Sequence, residues 1–178
     1  MLYSNTVFFV RLMYMSRAYL LIGGNMGNRE ENFAIARGYI EQYCGPVIRA
    51  SSFYETAAWG KTEQPSFLNQ ALEIETELHA ESLMKHVLEI EKFMGRERKE
   101  KYGPRVIDID ILLFNNEQYD LPFLKVPHPE MQNRRFALTP LAEIANDLQH
   151  PVFKKTIGQL LKECPDKLEV KKYIAAHL

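Results

Sequence analysis

Short apolar runs and amphipathic segments follow one another along most of the chain. Residues 18–22 form an apolar run that two glycines end, and this pattern predicts a buried β-strand. Apolar positions then recur at helical spacing over residues 33–43. Asn28 and Glu31 have the three-residue spacing of a capping box, which predicts where this helix begins. A second strand is predicted over residues 47–54.

The next strand, residues 67–78, alternates between apolar and acidic positions. We expect its glutamates Glu73, Glu75 and Glu77 to form a solvated outer face, opposite an apolar face. The remaining predicted elements are a helix over 82–94, a strand over 106–114, and two late helices over 134–144 and 156–163.

The predicted order of elements is β-α-β-β-α-β with helices added at the C-terminus. This order indicates the α+β class and a ferredoxin-like arrangement, in which helices cover one face of an antiparallel sheet. Because this fold supports many unrelated activities, the order alone does not identify a function.

Composition narrows the class of protein. The chain has 178 residues, and we expect residues 15–178 to form one domain. Residues 1–14 are expected to be an N-terminal extension, either disordered or upstream of the true start. A net charge of -1 argues against a protein that mainly binds nucleic acid or anionic lipid. No run reaches the length of a membrane span, no secretory signal is found, and the two cysteines form no framework, so we expect a cytoplasmic protein. We also expect it to be a monomer.

The strongest chemical signal is a pair of aspartates in the strand over 106–114. Alternation places Asp108 and Asp110 on one face, with Cα atoms roughly 6.6 Å apart. The opposite face is expected to be the core face and consists of Ile107, Ile109, Ile111 and Leu113. A hard cation such as Mg²⁺ would relieve the repulsion between the carboxylates and would also bind phosphates. Two solvated surface aspartates are the alternative interpretation.

A cationic loop leads into this strand. Residues 95–105 contain five basic and two acidic residues, and their Gly and Pro content predicts a loop. Arginine binds phosphate oxygens through two parallel hydrogen bonds, so such a loop beside a metal site suits polyphosphate chemistry. A solvated charged surface is the alternative.

Two further clusters carry candidate chemistry. Phe67 and Asn69 share a strand face, where a ring and an amide can bind a flat heterocycle; a core phenylalanine and a turn asparagine are the alternative. His128 lies between two prolines in an extended segment, either as a base or as a partner of local backbone groups. Arg134 and Arg135 oppose the dipole at a helix start, which a bound anion explains better than helix stability does.

Two other classes of protein stay open. A ferredoxin-like module that binds nucleotides or RNA is one, although the expected RNP-type string is absent. A metal-dependent phosphohydrolase is the other, and it would not need the cluster at Phe67 and Asn69. The chain contains no G-x-x-x-x-G-K-[ST] loop, so any ATP is not bound in the P-loop manner.

Taken together, the motifs resemble the 6-hydroxymethyl-7,8-dihydropterin pyrophosphokinase (HPPK) family over about residues 18–164. They are Gly23-Gly24-Asn25, residues 51–56, Gln64-Pro65 with Phe67-Leu68-Asn69, Gly95-Arg96, residues 103–110, and residues 126–129 with Arg134 and Phe136. The string Gly-Pro-Arg-x-x-Asp-x-Asp is highly specific to that family.

The resemblance implies transfer of a pyrophosphoryl group from ATP to the hydroxymethyl oxygen of the pterin, with release of AMP, in folate biosynthesis. It implies two Mg²⁺ ions at Asp108 and Asp110, catalytic roles for these aspartates with Arg96 and Arg105, and a loop over 96–105 that closes over substrates. The implied pterin-binding residues are Thr56, Ala57, Trp59, Phe67, Asn69 and Phe136. The implied ATP-binding residues are Glu91, Arg98, Tyr102, Ile111, Lys125, His128 and Arg134.

Four positions depart from the family pattern. Trp59 stands where an aliphatic residue is common, at the rim of the implied pterin pocket, and the other three are in the ATP half. Tyr102 stands where tryptophan occurs, Phe123 where arginine can occur, and Pro129 where tyrosine can occur. Lys125 lies two residues after Phe123, and we expect it to substitute for the arginine. The three departures in the ATP half concern nucleotide affinity and the motion of the closing loop rather than the reaction.

Overall fold

An antiparallel sheet forms the centre of the fold in a computed structural model, which describes residues 15–58, 64–96 and 103–174. The strands are β1 (Ser16–Gly24), β2 (Val47–Ala50), β3 (Tyr54–Thr56), β4 (Phe67–Thr76), β5 (Asp108–Phe114), β6 (Tyr119–Leu121), β7 (Leu124–Val126) and β8 (Val170–Lys172). The order across the sheet is β5-β1-β4-β3-β8, and β2 also pairs with β4. The β6 and β7 strands form a separate hairpin.

Helices flank the sheet, and local signals fix where two of them begin. The helices in the described residues are α1 (Arg29–Tyr43), α2 (Ala80–Phe93), α3 (Arg135–Ala145) and α4 (Ile157–Glu163), with a 3-10 turn at Met131–Asn133. At α1 the Asn28 side chain accepts a hydrogen bond from the Glu31 backbone N–H, as the spacing predicts. At α4, Thr156 and Gln159 form a complete capping box. None of the described helices is long and apolar enough to span a bilayer.

The sheet separates two hydrophobic cores. One core packs α1 and α2 against residues such as Leu20 and Ile22 of β1. The other packs α3 and α4 against Tyr19 and Leu21 of the same strand. The expectation of helices on one face is therefore wrong, because the C-terminal helices cover the second face. Since β1 is apolar on both faces, each face needs a covering layer.

The predicted solvated glutamate face is wrong for Glu73, which is 1% exposed. Its Oε1 lies 3.1 Å from Arg17 Nε, and its Oε2 accepts a hydrogen bond from Arg49. Because β4 pairs with β1 on one side and with β2 on the other, side chains from both neighbours enclose this carboxylate. Glu75 lies nearer the end of β4 and remains partly exposed.

The predicted second strand, residues 47–54, is interrupted. Residues 51–53 separate β2 from β3, and the Ser51 hydroxyl accepts a hydrogen bond from the Ala71 backbone N–H. A side chain thus takes the place of a backbone partner at this point of the sheet, and the chain leaves the strand direction before Tyr54.

A β-bulge in β5 breaks the predicted alternation at Leu112. Leu20 pairs with Ile111 but Tyr19 pairs with Leu113, so Leu112 is the extra residue. Leu113 consequently lies in the core beneath α3 and α4, and its predicted place beside Ile111 is wrong.

Candidate active site

A cavity of about 460 Å³ lies at the sheet end where β1 finishes and where β4 and β5 begin. Fourteen of the predicted site residues line it: Thr56, Ala57, Phe67, Asn69, Glu91, Arg96, Arg105, Asp108, Asp110, Ile111, Lys125, His128, Arg134 and Phe136. The antiparallel register brings the strand residues together, since Gly23 pairs with both Asn69 and Asp108. The other three predicted residues, Trp59, Arg98 and Tyr102, lie outside the described residues, as does most of the predicted closing loop.

Two carboxylates from β5 face the cavity. Asp108 and Asp110 are two residues apart on one strand face, as predicted, and both line the wall. Desolvation and the negative charge of Asp108 raise the pKa of Asp110 above its ordinary value, although some of the side chain contacts solvent. A cation bound between them would remove this unfavourable interaction.

Arginines from both ends of the 96–105 segment contact the first carboxylate. Arg96 Nη1 lies 2.5 Å from Asp108 Oδ1, and Arg105 donates a hydrogen bond to Asp108 Oδ2. Arg96 also donates to Glu91, whose buried Oε1 accepts from the Ile109 backbone N–H at 2.8 Å. Glu91 thereby orients Arg96 and joins the end of α2 to β5. Both guanidinium groups are of the kind that binds phosphate oxygens.

The donor set fits a magnesium ion that also binds phosphate. The described residues hold no group of three or more His, Cys, Asp and Glu side chains suited to a metal. Mg²⁺ is typically bound by one or two carboxylates, with water and substrate phosphates completing its octahedral shell. Asp108 and Asp110 provide the carboxylates for this kind of site.

An aromatic and amide wall lies at another part of the cavity. Phe67 begins β4 and pairs with Thr56, and the Asn69 amide donates to the Thr56 hydroxyl at 3.1 Å. Asn69 and Thr56 are 3% and 5% exposed, so this hydrogen bond fixes the amide orientation. Gly23 lies opposite, and a Cβ there would be 3.2 Å from Asn69 Oδ1. Phe136, in the first turn of α3, adds a second ring.

His128 is neutral at pH 7. Burial, followed by the charge of Arg134, lowers the pKa of His128 to about 4. Its Nδ1 accepts a hydrogen bond from the Glu130 backbone N–H at 3.2 Å. The proton of the neutral ring is therefore on Nε2, which makes that atom a hydrogen-bond donor.

The β6–β7 hairpin contributes the least enclosed part of the wall. Phe123 lines the cavity and is 52% exposed. Lys125 also lines it, but its Nζ lies 2.7 Å from Asp120 Oδ1 on the same hairpin. The Lys125 ammonium group, which was expected to contact ATP, is thus paired with the Asp120 carboxylate in this structure.

Sequence reasoning assigned no role to Asn25, which is 2% exposed. Its Oδ1 accepts from the Arg105 backbone N–H at 2.8 Å, and its Nδ2 donates to Pro65 O at 3.1 Å. One side chain therefore joins the segment before β4 to the segment before β5. The sequence feature that could have indicated a role for Asn25 is its position directly after two glycines at the end of a predicted strand. Apolar wall residues also missed are Leu21, Met84, Leu88, Pro122 and Leu124.

Comparison with known proteins gives family-level and sequence-level matches. The model of the family described as 7,8-dihydro-6-hydroxymethylpterin-pyrophosphokinase (HPPK) matches residues 19–146. A relative from Aquifex aeolicus (strain VF5) is 37% identical over 149 residues, which cover 84% of this chain and 92% of the relative. One from Bacillus subtilis (strain 168) is 42% identical over 133 residues, which cover 74% and 80%. Both are named 2-amino-4-hydroxy-6-hydroxymethyldihydropteridine pyrophosphokinase.

Solved structures show the same fold. Plasmodium falciparum HPPK-DHPS wild type with pteroate superposes with a TM-score of 0.68 at 16% identity. The match covers 84% of this chain and 44% of that chain, so the present chain spans less than half of that protein. The family model covers well over half of the chain, and both relatives exceed 30% identity across most of it. The chain therefore belongs to the HPPK family.

Proposed function

We propose that this chain transfers a pyrophosphoryl group from ATP to the hydroxymethyl oxygen of 6-hydroxymethyl-7,8-dihydropterin and releases AMP, as a step in folate biosynthesis. The observation that carries the proposal is one cavity that combines the carboxylates Asp108 and Asp110, the arginines Arg96 and Arg105, and an aromatic–amide wall. Family membership supports it and favours it over a phosphohydrolase or a nucleotide-binding module.

The reaction needs no covalent intermediate with the protein. The hydroxymethyl oxygen attacks the β-phosphorus of ATP, and the bond between that phosphorus and the oxygen bridging to the α-phosphorus breaks. AMP leaves with the bridging oxygen, and the hydroxyl proton is released. Such a transfer depends on positioning of the two substrates and on stabilisation of developing charge.

We assign two Mg²⁺ ions to Asp108 and Asp110. Bound there, Mg²⁺ would supply charge neutralisation and orientation of the ATP phosphates. Arg96 and Arg105, which face Asp108, would bind the oxygens of the transferred group and stabilise their charge. Glu91 would keep Arg96 in this orientation.

The aromatic–amide wall is the proposed pterin site. Phe67 and Phe136 would stack on the two faces of the pterin ring, while Asn69 and Thr56 bind its polar edge. Ala57 and Trp59 complete this set. The proposed ATP set is Glu91, Arg98, Tyr102, Ile111, Lys125, His128 and Arg134.

The proposal also covers the wider setting of the protein. A ferredoxin-like arrangement of the sheet is supported by the order β5-β1-β4-β3. We further propose that residues 15–178 form one domain that acts as a monomer in the cytoplasm. Gel filtration of the purified chain would test the monomeric state.

The test is an incubation of the protein with ATP, Mg²⁺ and 6-hydroxymethyl-7,8-dihydropterin, followed by separation of the nucleotides. We expect AMP only when both the pterin and Mg²⁺ are present. Release of ADP or phosphate without the pterin would instead identify a phosphohydrolase. Absence of any nucleotide product would contradict the proposal.

A further inference from the structure

Outside the cavity, Arg29 joins three parts of the fold. Its Nη1 donates to Glu55 Oε1 at 2.7 Å, to Ser66 O at 3.0 Å and to Ser66 Oγ at 3.1 Å. The Ser66 hydroxyl donates to the same Glu55 oxygen at 2.7 Å. We call these three residues the Arg29 cluster. The cluster connects the start of α1 to β3 and to the residue before β4.

The Arg29 cluster lies directly behind the proposed pterin site. Glu55 precedes Thr56, and Ser66 precedes Phe67, which pairs with Thr56 across the two strands. The cluster residues are not part of the cavity lining, whereas Thr56 and Phe67 are. The cluster therefore fixes the two ends of the β3–β4 connection and does not itself offer atoms to a substrate.

An arginine suits this place because its guanidinium can serve several acceptors in one plane. Its side chain is 21% exposed, so the contacts are better shielded from water than those of a typical surface ion pair. The ring of Tyr173, the residue after β8, lies against the Arg29 side chain, with its centre 5.4 Å from Arg29 Cζ. The hydrogen bonds from Ser66 and from Arg29 lower the pKa of Glu55, which keeps the carboxylate ionised.

We propose that Arg29 is a positioning residue for the pterin site. By holding Glu55 and Ser66, it keeps Thr56 and Phe67 in the orientation that binds the heterocycle. This inference rests on the proposed function, which names the pterin as the occupant. Because the arginines and carboxylates that face ATP belong to other segments, loss of Arg29 weakens pterin binding selectively.

The experiment compares steady-state constants for Arg29→Gln with those of the wild type. We expect the KM for the pterin to rise on the order of tenfold, while kcat at saturating pterin and the KM for ATP stay within about twofold. Arg29→Lys keeps the charge but not the planar guanidinium that places Nη1 between Glu55 and Ser66, so we expect partial recovery. Arg37→Gln is the matched control on the same helix, since its exposed pair with Glu41 is remote from the connection, and we expect no change.

A double variant separates positioning from general damage. If the cluster acts as a unit, Arg29→Gln with Ser66→Ala raises the pterin KM little more than Arg29→Gln alone. Equal rises in both KM values, or an unchanged pterin KM in an active enzyme, would overturn the inference. If Arg29→Gln does not fold, Ser66→Ala alone must raise the pterin KM, by about threefold on the same reasoning.

Failure of the proposed function gives a different result. If the wild type forms no AMP, pterin binding measured by fluorescence still compares Arg29→Gln with the wild type. A tenfold weaker Kd for the variant then supports the positioning role, and equal values overturn it. A wild type that binds no pterin overturns both.

Discussion

The two carboxylates of β5 differ in their surroundings. Asp108 contacts Arg96 and Arg105, whereas the pKa of Asp110 is raised by desolvation and by the charge of Asp108. Of these two carboxylates, Asp110 therefore has the charge that is less compensated by contacts with arginine. This makes it the more informative position for testing a cation site.

We expect Asp110→Asn to abolish Mg²⁺-dependent AMP formation while the protein stays folded. The amide has nearly the same shape but removes the negative charge that a hard cation needs. Activity and circular dichroism would be measured together, with the exposed Asp147→Asn as the control. A variant that keeps most of its activity would contradict the metal assignment.

Arg105→Ala should lower kcat on the order of tenfold or more, because a cationic donor at the transferred group is lost. The guanidinium also lies over Phe67, with Cζ 5.7 Å from the ring centre, so the pterin KM is expected to rise as well. Steady-state kinetics with Arg105→Lys alongside would separate charge from geometry. Unchanged kinetics in Arg105→Ala would exclude this residue from the mechanism.

His150 provides a prediction on pH and stability. It is 2% exposed, and burial lowers its pKa to about 4. Its Nδ1 accepts from the Val152 and Phe153 backbone N–H groups, and its Nε2 has no hydrogen-bond partner among the described residues. Below pH 6.5 the unfolded chain takes up a proton that the folded one does not, so the free energy of unfolding falls as the pH falls towards 4.

We expect His150→Asn to remove part of this acid sensitivity, since the Asn carbonyl can still accept from the backbone. Between pH 7 and pH 5, the free energy of unfolding should fall by less in the variant than in the wild type, with a difference on the order of 1 kcal/mol. Burial also lowers the pKa of His128, so part of the acid sensitivity of the stability remains in the variant. Urea denaturation at pH 7 and pH 5 measures the free energy of unfolding of both proteins. An identical decrease in the wild type and the variant would contradict the prediction.

Among the elements, long periodic segments were predictable from the sequence. The β1, β4 and β5 strands and the α1 and α2 helices lie where apolar spacing predicts them, because each buries a regular face. The β6, β7 and β8 strands have three residues each, too few to show a period. The bulge at Leu112 could not be predicted from the sequence either, because Leu112 and Leu113 are both apolar and either can face a core.

The candidate site was predictable to the extent that it depends on strand alternation. Asp108 with Asp110, and Phe67 with Asn69, share faces for that reason alone. Asn25 contacts Arg105, which is 80 residues away, and no local pattern indicates this contact. Contacts between loops depend on how the strand ends meet, and only the complete sheet defines that.

The end of β1 gives a prediction at the element scale. A Cβ on Gly24 would overlap the Val106 carbonyl oxygen, so Gly24→Ala must separate β1 from the segment before β5. We expect a loss of about 1–3 kcal/mol in stability and a larger loss of activity, since the Asn25–Arg105 contact is disrupted.

Gly38→Ala is the matched control for that variant. Gly38 lies on the exposed side of α1, and the added Cβ would meet no atom within 4 Å other than the nearby backbone of its own helix. The substitution should stabilise the protein by about 0.5–1 kcal/mol. Thermal denaturation and AMP formation would be measured on both. Equal changes in stability and activity in the two variants would contradict the close contact between Gly24 and the Val106 carbonyl oxygen.

For the whole molecule, the residues that line the cavity come from β1, β3, β4, β5, the hairpin, α2 and α3, so a ligand bound there stabilises most of the fold. A non-hydrolysable ATP analogue with Mg²⁺ at about one hundred times its Kd should raise the midpoint of thermal unfolding by about 5–10 °C. The Asp110→Asn variant should show a smaller rise with the analogue and Mg²⁺. An unchanged midpoint in the wild type would show that nucleotide does not bind.

The register of β1 also bears on how the protein is made. This early strand pairs with β4 and with β5, and Arg17 N binds Asn115 Oδ1 across 98 residues. Contacts so distant in sequence form slowly, after long loops have closed. While Phe136 is still inside the ribosome, the nascent chain lacks part of the cavity wall. Competence to bind both substrates is therefore acquired late in synthesis, when most of the polypeptide has emerged.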